Sequence, residues 1–346
     1  MIIIGCDFHT RYQQIAWLET ETGEMHEQRL EHTGEEVQKF YAGLPKPVRV
    51  GIESMGYTGW FERLLDELGH QVWIGDAAKI RAAEVRKQKT DARDAAHILE
   101  LLVANRFPKI WVPTPEERDL RQLVLHRVKL VQMRTKVQNQ LQAMALGQGV
   151  CRRKKLWSVR GRAELESLPL GPWAQRRRQE LLQLLDHLEG SITELQAAVE
   201  QQARQHPQAA LLMTHPGVGP VTSLAFVLTM GPVSRFARGK KVASYLGLNP
   251  QERSSGGHTY MGPISKQGNS TMRWLLVEAG QTAARTDPGL RRVYQRLKFR
   301  KGSAIAKVAV ARKLAVRLYW MLRSQSDYAG LVRMSGSSSG AVVPEA

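Results

Sequence analysis

The chain has 346 residues, enough for two or three domains, and 42% of them are hydrophobic, which sustains a packed core and excludes wholesale disorder. Fifty Lys and Arg stand against 32 Asp and Glu, a net charge of +18, and the pI is near 10.2. This points to a polyanion, nucleic acid ahead of anionic lipid, because duplex phosphates reward clustered cations by counterion release and no amphipathic anchor or lipidation signal opens the chain.

The opening MIIIGCDF is a short apolar run ending around an aspartate, without the basic and long apolar regions of a signal peptide, and no 18-residue apolar run exists to span a membrane. Two cysteines, Cys6 and Cys151, are too few for a disulfide framework or a cysteine-built zinc site, which fits a reducing cytoplasm. Residues 2–7 read as a buried strand, and 12–19 and 25–31 as two more with a turn at Thr22-Gly23. A short helix over 35–41, a buried strand over 48–53, a helix over 61–68, a strand over 71–74 and a helix over 91–105 follow. That order predicts an α/β domain with a mixed sheet whose first half is a meander, unlike a dinucleotide-binding fold.

Four acids fall at telling places. Asp7 and Glu53 end strands, and Asp91 and Asp94, in KTDARDA, share one face of a helix start at i, i+3 spacing. Converging carboxylates with open positions suit Mg²⁺ and phosphodiester chemistry. Taken singly, a strand-end aspartate is ordinary, and Asp91 with Asp94 would equally serve as a helix cap. Lys87 and Lys89, just before the pair, suit a phosphate-facing rim or an ordinary surface.

The middle of the chain is helical. Leu181, Leu185, Leu188, Ile192, Leu195 and Val199 step by fours and threes as a heptad seam, either an intramolecular hairpin or an oligomer contact. Basic runs lie around it: Arg152, Arg153, Lys154 and Lys155, then Arg176, Arg177 and Arg178. From about Thr214 glycines punctuate short apolar segments. HPGVGPVTSLAFVLTMG has the form of a helix-hairpin-helix turn, where Gly217 and Gly219 would bring backbone N–H groups to a phosphate; its alternative is a turn between packed helices. Ser254, Ser255, Gly256 and Gly257 read as an exposed turn among Arg253, His258, Lys266 and Arg273. A serine there can attack a phosphodiester, though such a tetrapeptide is usually a loop. Helices over 270–284 and 303–322 and a low-complexity, mobile tail from Met334 close the chain.

Three stretches, in order, carry a resemblance. GCDFHT with Glu53 and KTDARDAAHI resembles the DEDD catalytic domain of the Piv-like insertion-sequence transposases. The segments HPGVGPVTSLAFVLTMG and RFARGKKVASYLGLNPQERSSGGHTYMGPISKQGNSTMRWLLVEAG resemble that family's C-terminal domain, and KGSAIAKVAVARKLAVRLYWML its closing helix. The resemblance implies an RNase H-like (RuvC-like) domain over 1–112, a helical coiled-coil linker and oligomerisation region over 113–208, a mainly α serine-bearing domain over 209–326, and a tail over 327–346. It implies Asp7, Glu53, Asp91 and Asp94 as ligands of Mg²⁺ or Mn²⁺. It makes Ser255 the nucleophile of a phosphoserine–DNA intermediate, with Ser254 as fallback. Read from the residues themselves, Arg152, Arg153, Lys154, Lys155, Lys87, Lys89, Gly217, Gly219, Arg253, Lys266 and Arg273 are the expected nucleic-acid contacts. The resemblance further implies donor and target DNA, a structured noncoding bridge RNA, and a homo-oligomer, dimer to tetramer, with composite active sites in a prokaryotic cytoplasm. The rival expectations are a Holliday-junction-resolvase-like nuclease and a non-enzymatic nucleic-acid-binding protein.

Overall fold

The computed structural model describes residues 1–83, 90–152, 155–256 and 258–337, with backbone only for 335–337. The chain forms two compact units, Met1–Val112 and Pro113–Ala346.

The first unit follows the α/β order read from the sequence: β1 (Ile2–Phe8), β2 (Tyr12–Glu19), β3 (Met25–Glu31), α1 (Glu36–Ala42), β4 (Val48–Glu53), α2 (Gly59–Glu67), β5 (Gln71–Gly75), α3 (Ala77–Ala82) and α4 (Asp91–Val103). The strands form one mixed sheet in the order β3-β2-β1-β4-β5. β1, β2 and β3 run as an antiparallel meander, and β1, β4 and β5 are parallel. The arrangement is consistent with the RNase H-like expectation. The short helix α3 was not anticipated; its cap is Asp76, whose carboxylate accepts from the N–H groups of Ala78 and Lys79.

Alternation along the strands assigns the two faces. Ile4, Cys6 and Phe8 of β1 and Val48, Val50 and Ile52 of β4 bury against Val37, Tyr41, Phe61 and Leu65 of α1 and α2. The opposite face packs Ile3 against Ala95, Ile98, Leu99 and Leu102 of α4. Two glycines make that second contact possible. Gly5 and Gly51 are register partners on β1 and β4. A Cβ on Gly5 would lie 2.3 Å from the Ala95 carbonyl oxygen and 2.4 Å from the Leu99 nitrogen, and one on Gly51 2.6 Å from Leu102 Cδ1. The backbone of α4 therefore rests directly on the central strands.

The second unit is helical: α5 (Pro115–Gly147), α6 (Val159–Glu166), α7 (Pro172–Gln205), α8 (Pro207–Met213), α9 (Pro220–Met230), α10 (Gly239–Tyr245), the hairpin β6 (Pro250–Glu252) and β7 (Met261–Ile264), α11 (Ser270–Thr286), α12 (Pro288–Lys301), α13 (Ser303–Ser324) and α14 (Tyr328–Ser337). Helix α5 starts on a capping box between Thr114 and Glu117 with Pro115 in its first turn. Much of the heptad seam has a partner within the chain: Leu185, Leu188 and Ile192 of α7, with Leu181 partly buried beside them, pack against Val137, Leu141 and Ala145 of α5 and Leu165 of α6. These residues pack within the chain, as the hairpin alternative expects. Helix α9, buried almost all round, forms the centre of the main core with Leu314, Leu318 and Tyr319 of α13. The tail expected to be mobile from Met334 instead continues α14 to Ser337.

Candidate active site

Gly5 and Gly51 seat α4, and its first turn thereby hangs over the carboxyl ends of β1 and β4. Thr90 caps the helix, its side chain accepting from the Arg93 N–H; the capping role open to Asp91 falls instead to this threonine. Asp91 is thereby left for other contacts. Its Oδ2 accepts from the Tyr12 hydroxyl at 2.7 Å and lies 3.5 Å from His9 Nε2. The same His9 nitrogen is 3.0 Å from Asp7 Oδ2. Ligand atoms of Asp7, His9 and Asp91 all fall within 4.8 Å of one another.

Asp7 is the deepest of the group, 8% exposed. Burial raises its carboxyl above the ordinary value; His9 pulls it down, and the negative charges of Asp94 and Asp91 push it up again. Asp94 is thus within electrostatic reach of Asp7. Glu53 ends β4, one residue beyond the last register pair of β1 and β4, Cys6 with Ile52, and on the same face of the sheet as Gly51. Among the described residues it pairs with Arg81 of α3, at 3.7 Å. The structure brings Asp7 and Asp91 together, places Asp94 close by on the same helix face, and leaves Glu53 on the adjacent strand end. Cys6 points to the other face, fully buried, its thiol pushed well up by burial and then by Asp7.

A buried aspartate with a second aspartate and an imidazole within ligand distance is a place where a divalent cation would be welcome. The donors are hard oxygens plus one imidazole, and the residues present fit such an ion. Sequence reasoning missed His9 and Tyr12. The signal for His9 was available: two residues after Asp7, it continues the alternation of β1 onto the same side.

In the second unit, Ser255 lies at the tip of the hairpin. Its N–H and C=O exchange hydrogen bonds with His258, at 3.2 and 3.1 Å, and Gly256 at the turn has φ +56°. Among the described residues the Ser255 hydroxyl makes no hydrogen bond, whereas Ser254 Oγ donates to Glu252 Oε1 at 2.6 Å. Arg253, Ser254, Ser255 and His258 are all exposed.

The basic and glycine positions divide. Gly217 has φ +87°, and a Cβ there would lie 2.5 Å from the Ala283 nitrogen of α11, so its need for glycine is internal packing. Gly219 has open space beside it and precedes α9. Arg273, expected to face nucleic acid, commits Nη1 to the carbonyls of Leu246, Gln267 and Gly268. Arg178 is buried and donates to the carbonyls of Leu165 and Leu168. Arg152 pairs with Glu164 at 2.9 Å, while Lys155, Arg253 and Lys266 are exposed. Lys87, Lys89, Arg153, Lys154 and Gly257 lie outside the described residues.

Residues 4–148 match the model of the IS110 DEDD transposase, and residues 209–295 match that described as the transposase IS116/IS110/IS902 family. The chain is similar to a probable family 20 transposase of Pseudomonas aeruginosa, 30% identical over 84% of this chain and 88% of the relative. It is also similar to the transposase for insertion sequence element IS1328 of Yersinia enterocolitica, 28% identical over 84% and 87% of the two chains. A third relative, the transposase for insertion sequence element IS1111A of Coxiella burnetii, is 25% identical over 70% and 69%.

Proposed function

The chain belongs to the IS116/IS110/IS902 family of transposases, enzymes that act on DNA, and we propose that it excises and inserts a mobile element by metal-assisted strand cleavage followed by exchange through a serine–DNA linkage. The observation that carries this reading is the convergence of Asp7, His9 and Asp91 at the end of the sheet. Asp7 and Asp91 would hold Mg²⁺ or Mn²⁺, with Asp94 and Glu53 completing the set. The ion, when bound, draws charge from the reacting phosphate and eases attack at phosphorus. His9 Nε2 holds the two aspartates in register, and the Tyr12 hydroxyl fixes the Asp91 rotamer.

A covalent serine–DNA linkage keeps the phosphodiester energy until the new strand arrives, which water as the nucleophile would not. Ser255 supplies the holding group in this reading. A bond forms between its oxygen and phosphorus, one bridging P–O bond of the strand breaks, the serine proton is released, and the departing strand oxygen takes a proton. In the second step a hydroxyl of the partner strand displaces the serine. Exposure of Ser255 at a glycine-bearing hairpin tip supports close approach to DNA. A second reading rests on one contact: the Ser254 hydroxyl already donates to Glu252, a carboxylate placed to take its proton.

The partners in this account are donor and target DNA, with a structured bridge RNA as guide and a homo-oligomer in which sites are shared between copies. Among the described residues no helix is long and apolar enough to cross a membrane.

Ser255→Ala should bind DNA with unchanged affinity and form no protein–DNA adduct on denaturing gels. Loss of the adduct in Ser254→Ala and Glu252→Gln, but not in Ser255→Ala, moves the nucleophile to Ser254. Normal recombination by both serine variants would leave the acids acting with water, as in a junction-resolving nuclease.

A further inference from the structure

Cation density peaks away from the residues discussed so far. From Arg285 to Lys313 the chain carries ten Lys and Arg and one acid, Asp287. That acid is 2% exposed. It is taken up inside the fold by Arg317 at 2.7 Å, the Tyr328 hydroxyl at 2.5 Å and the Leu290 N–H at 2.5 Å, so it does not offset the surface charge.

Two neighbouring stripes of α12 show different chemistry. Arg291, Gln295 and Lys298, at i, i+4 and i+7, line a groove of about 410 Å³ together with Gln281 and Arg285 of α11 and Tyr294. About 100° around the helix, Arg292, Arg296 and Phe299 form the second stripe. Phe299 is 94% exposed, between Lys298 and Arg300, with Lys301 following. Ile305, 54% exposed in the first turn of α13, is another apolar residue nearby in sequence.

A single exposed apolar residue is ordinary. A fully exposed phenyl ring set among cations, beside a groove of Arg, Lys and Gln, is not. The surrounding charge repels a second copy of this face, and covering it with an apolar protein partner would bury cations without counter-charges, at a desolvation cost. A polyanion with flat apolar faces answers both features. Duplex bases are stacked on one another and offer no face to a side chain outside, whereas unpaired bases do.

We propose that α11 and α12 form a binding site for single-stranded nucleic acid, in which Arg285, Arg291 and Lys298 take the backbone phosphates and Phe299 stacks on an unpaired base. Such a site would serve where strands part. It needs neither the acid cluster nor the serine, so its test is independent of the strand-transfer reading.

The test is fluorescence anisotropy with the full chain and three probes of equal length: oligo-dT, oligo-U and a mixed-sequence duplex. Phe299→Ala should weaken binding of at least one single strand roughly five-fold or more while leaving duplex affinity within about two-fold; the probe that responds identifies DNA or RNA as the occupant. Phe299→Trp should retain single-strand binding. The triple change Arg285→Gln, Arg291→Gln, Lys298→Gln should weaken the same probe and flatten its salt dependence. Because Phe299 is solvent-exposed, its substitution leaves the fold intact, and a melting curve checks this. Unchanged affinity for both single strands in Phe299→Ala, an equal loss on the duplex, or equal loss in Phe299→Trp overturns the proposal.

Discussion

Asp7 carries an electrostatic burden. Burial and the neighbouring Asp94 and Asp91 hold its carboxyl above the ordinary value. In the folded state it therefore binds its proton more tightly than in the unfolded chain. Above the unfolded value stability falls as pH rises, and the full penalty stands once pH exceeds the folded value. Asp7→Asn should accordingly melt at the same temperature as the wild type or higher at pH 7 without metal, with the difference vanishing near pH 3. Added Mg²⁺ or Mn²⁺ should raise the wild-type melting temperature and leave Asp7→Asn unmoved. A lower melting temperature for the variant at pH 7 contradicts the account of this residue. At this scale the sequence was only partly legible. Strand-end and helix-start positions exposed the four acids. The bond of His9 to Asp7, the hold of Tyr12 on Asp91, and the internal duties of Arg273 and Arg178 depend on side-chain directions that residue type does not encode.

Among the elements, α4 matters most, because its seat on β1 and β4 sets where Asp91 and Asp94 fall. Gly5→Ala would put a Cβ 2.3 Å from a backbone oxygen of α4, which no side-chain rotation relieves. Overpacking of this kind costs roughly 1–3 kcal/mol, and it should displace the aspartates as well. Strand cleavage should fall by more than the melting temperature implies, while DNA binding stays near wild type; calorimetry and a nicking assay on the same preparation check both. Equal activity in a folded Gly5→Ala protein would detach the site from this seat. The strands of the first unit were readable because apolar runs and alternation survive into the sheet almost unaltered. Short elements were not: α3 rests on one capping aspartate, and the β6–β7 hairpin has only three and four residues per strand. The heptad seam was visible as a pattern, but a pattern names no partner, and α5 and α6 supply one.

On the scale of the whole molecule, the charge divides sharply. Residues 1–112 hold 17 Asp and Glu against 14 Lys and Arg, a net −3, and residues 113–346 hold 36 Lys and Arg against 15 Asp and Glu, a net +21. In the proposed function the first unit supplies the acids, and the second supplies Ser255 and the cations that meet nucleic acid. In the full chain, neutralising Arg253 and Lys266 should each make the slope of log affinity against log salt shallower by about 0.9 on duplex DNA if each meets a phosphate. Neutralising the exposed Lys39 and Lys79 of the first unit should leave it unchanged. A slope that responds only to the first unit would reverse the assignment. The central claim, that the Asp7–Asp91 cluster performs metal-dependent strand cleavage, has one most direct measurement: nicking of element-end DNA by wild type and Asp7→Asn across a Mn²⁺ and Mg²⁺ titration, with DNA affinity recorded in parallel. The account predicts wild-type cleavage that rises with metal and stops on chelation, and an Asp7→Asn protein that binds DNA as tightly but cleaves at least about a thousand-fold more slowly, a loss of roughly 4 kcal/mol of transition-state stabilisation. Metal-independent cleavage, or an Asp7→Asn protein as active as the wild type, would contradict it.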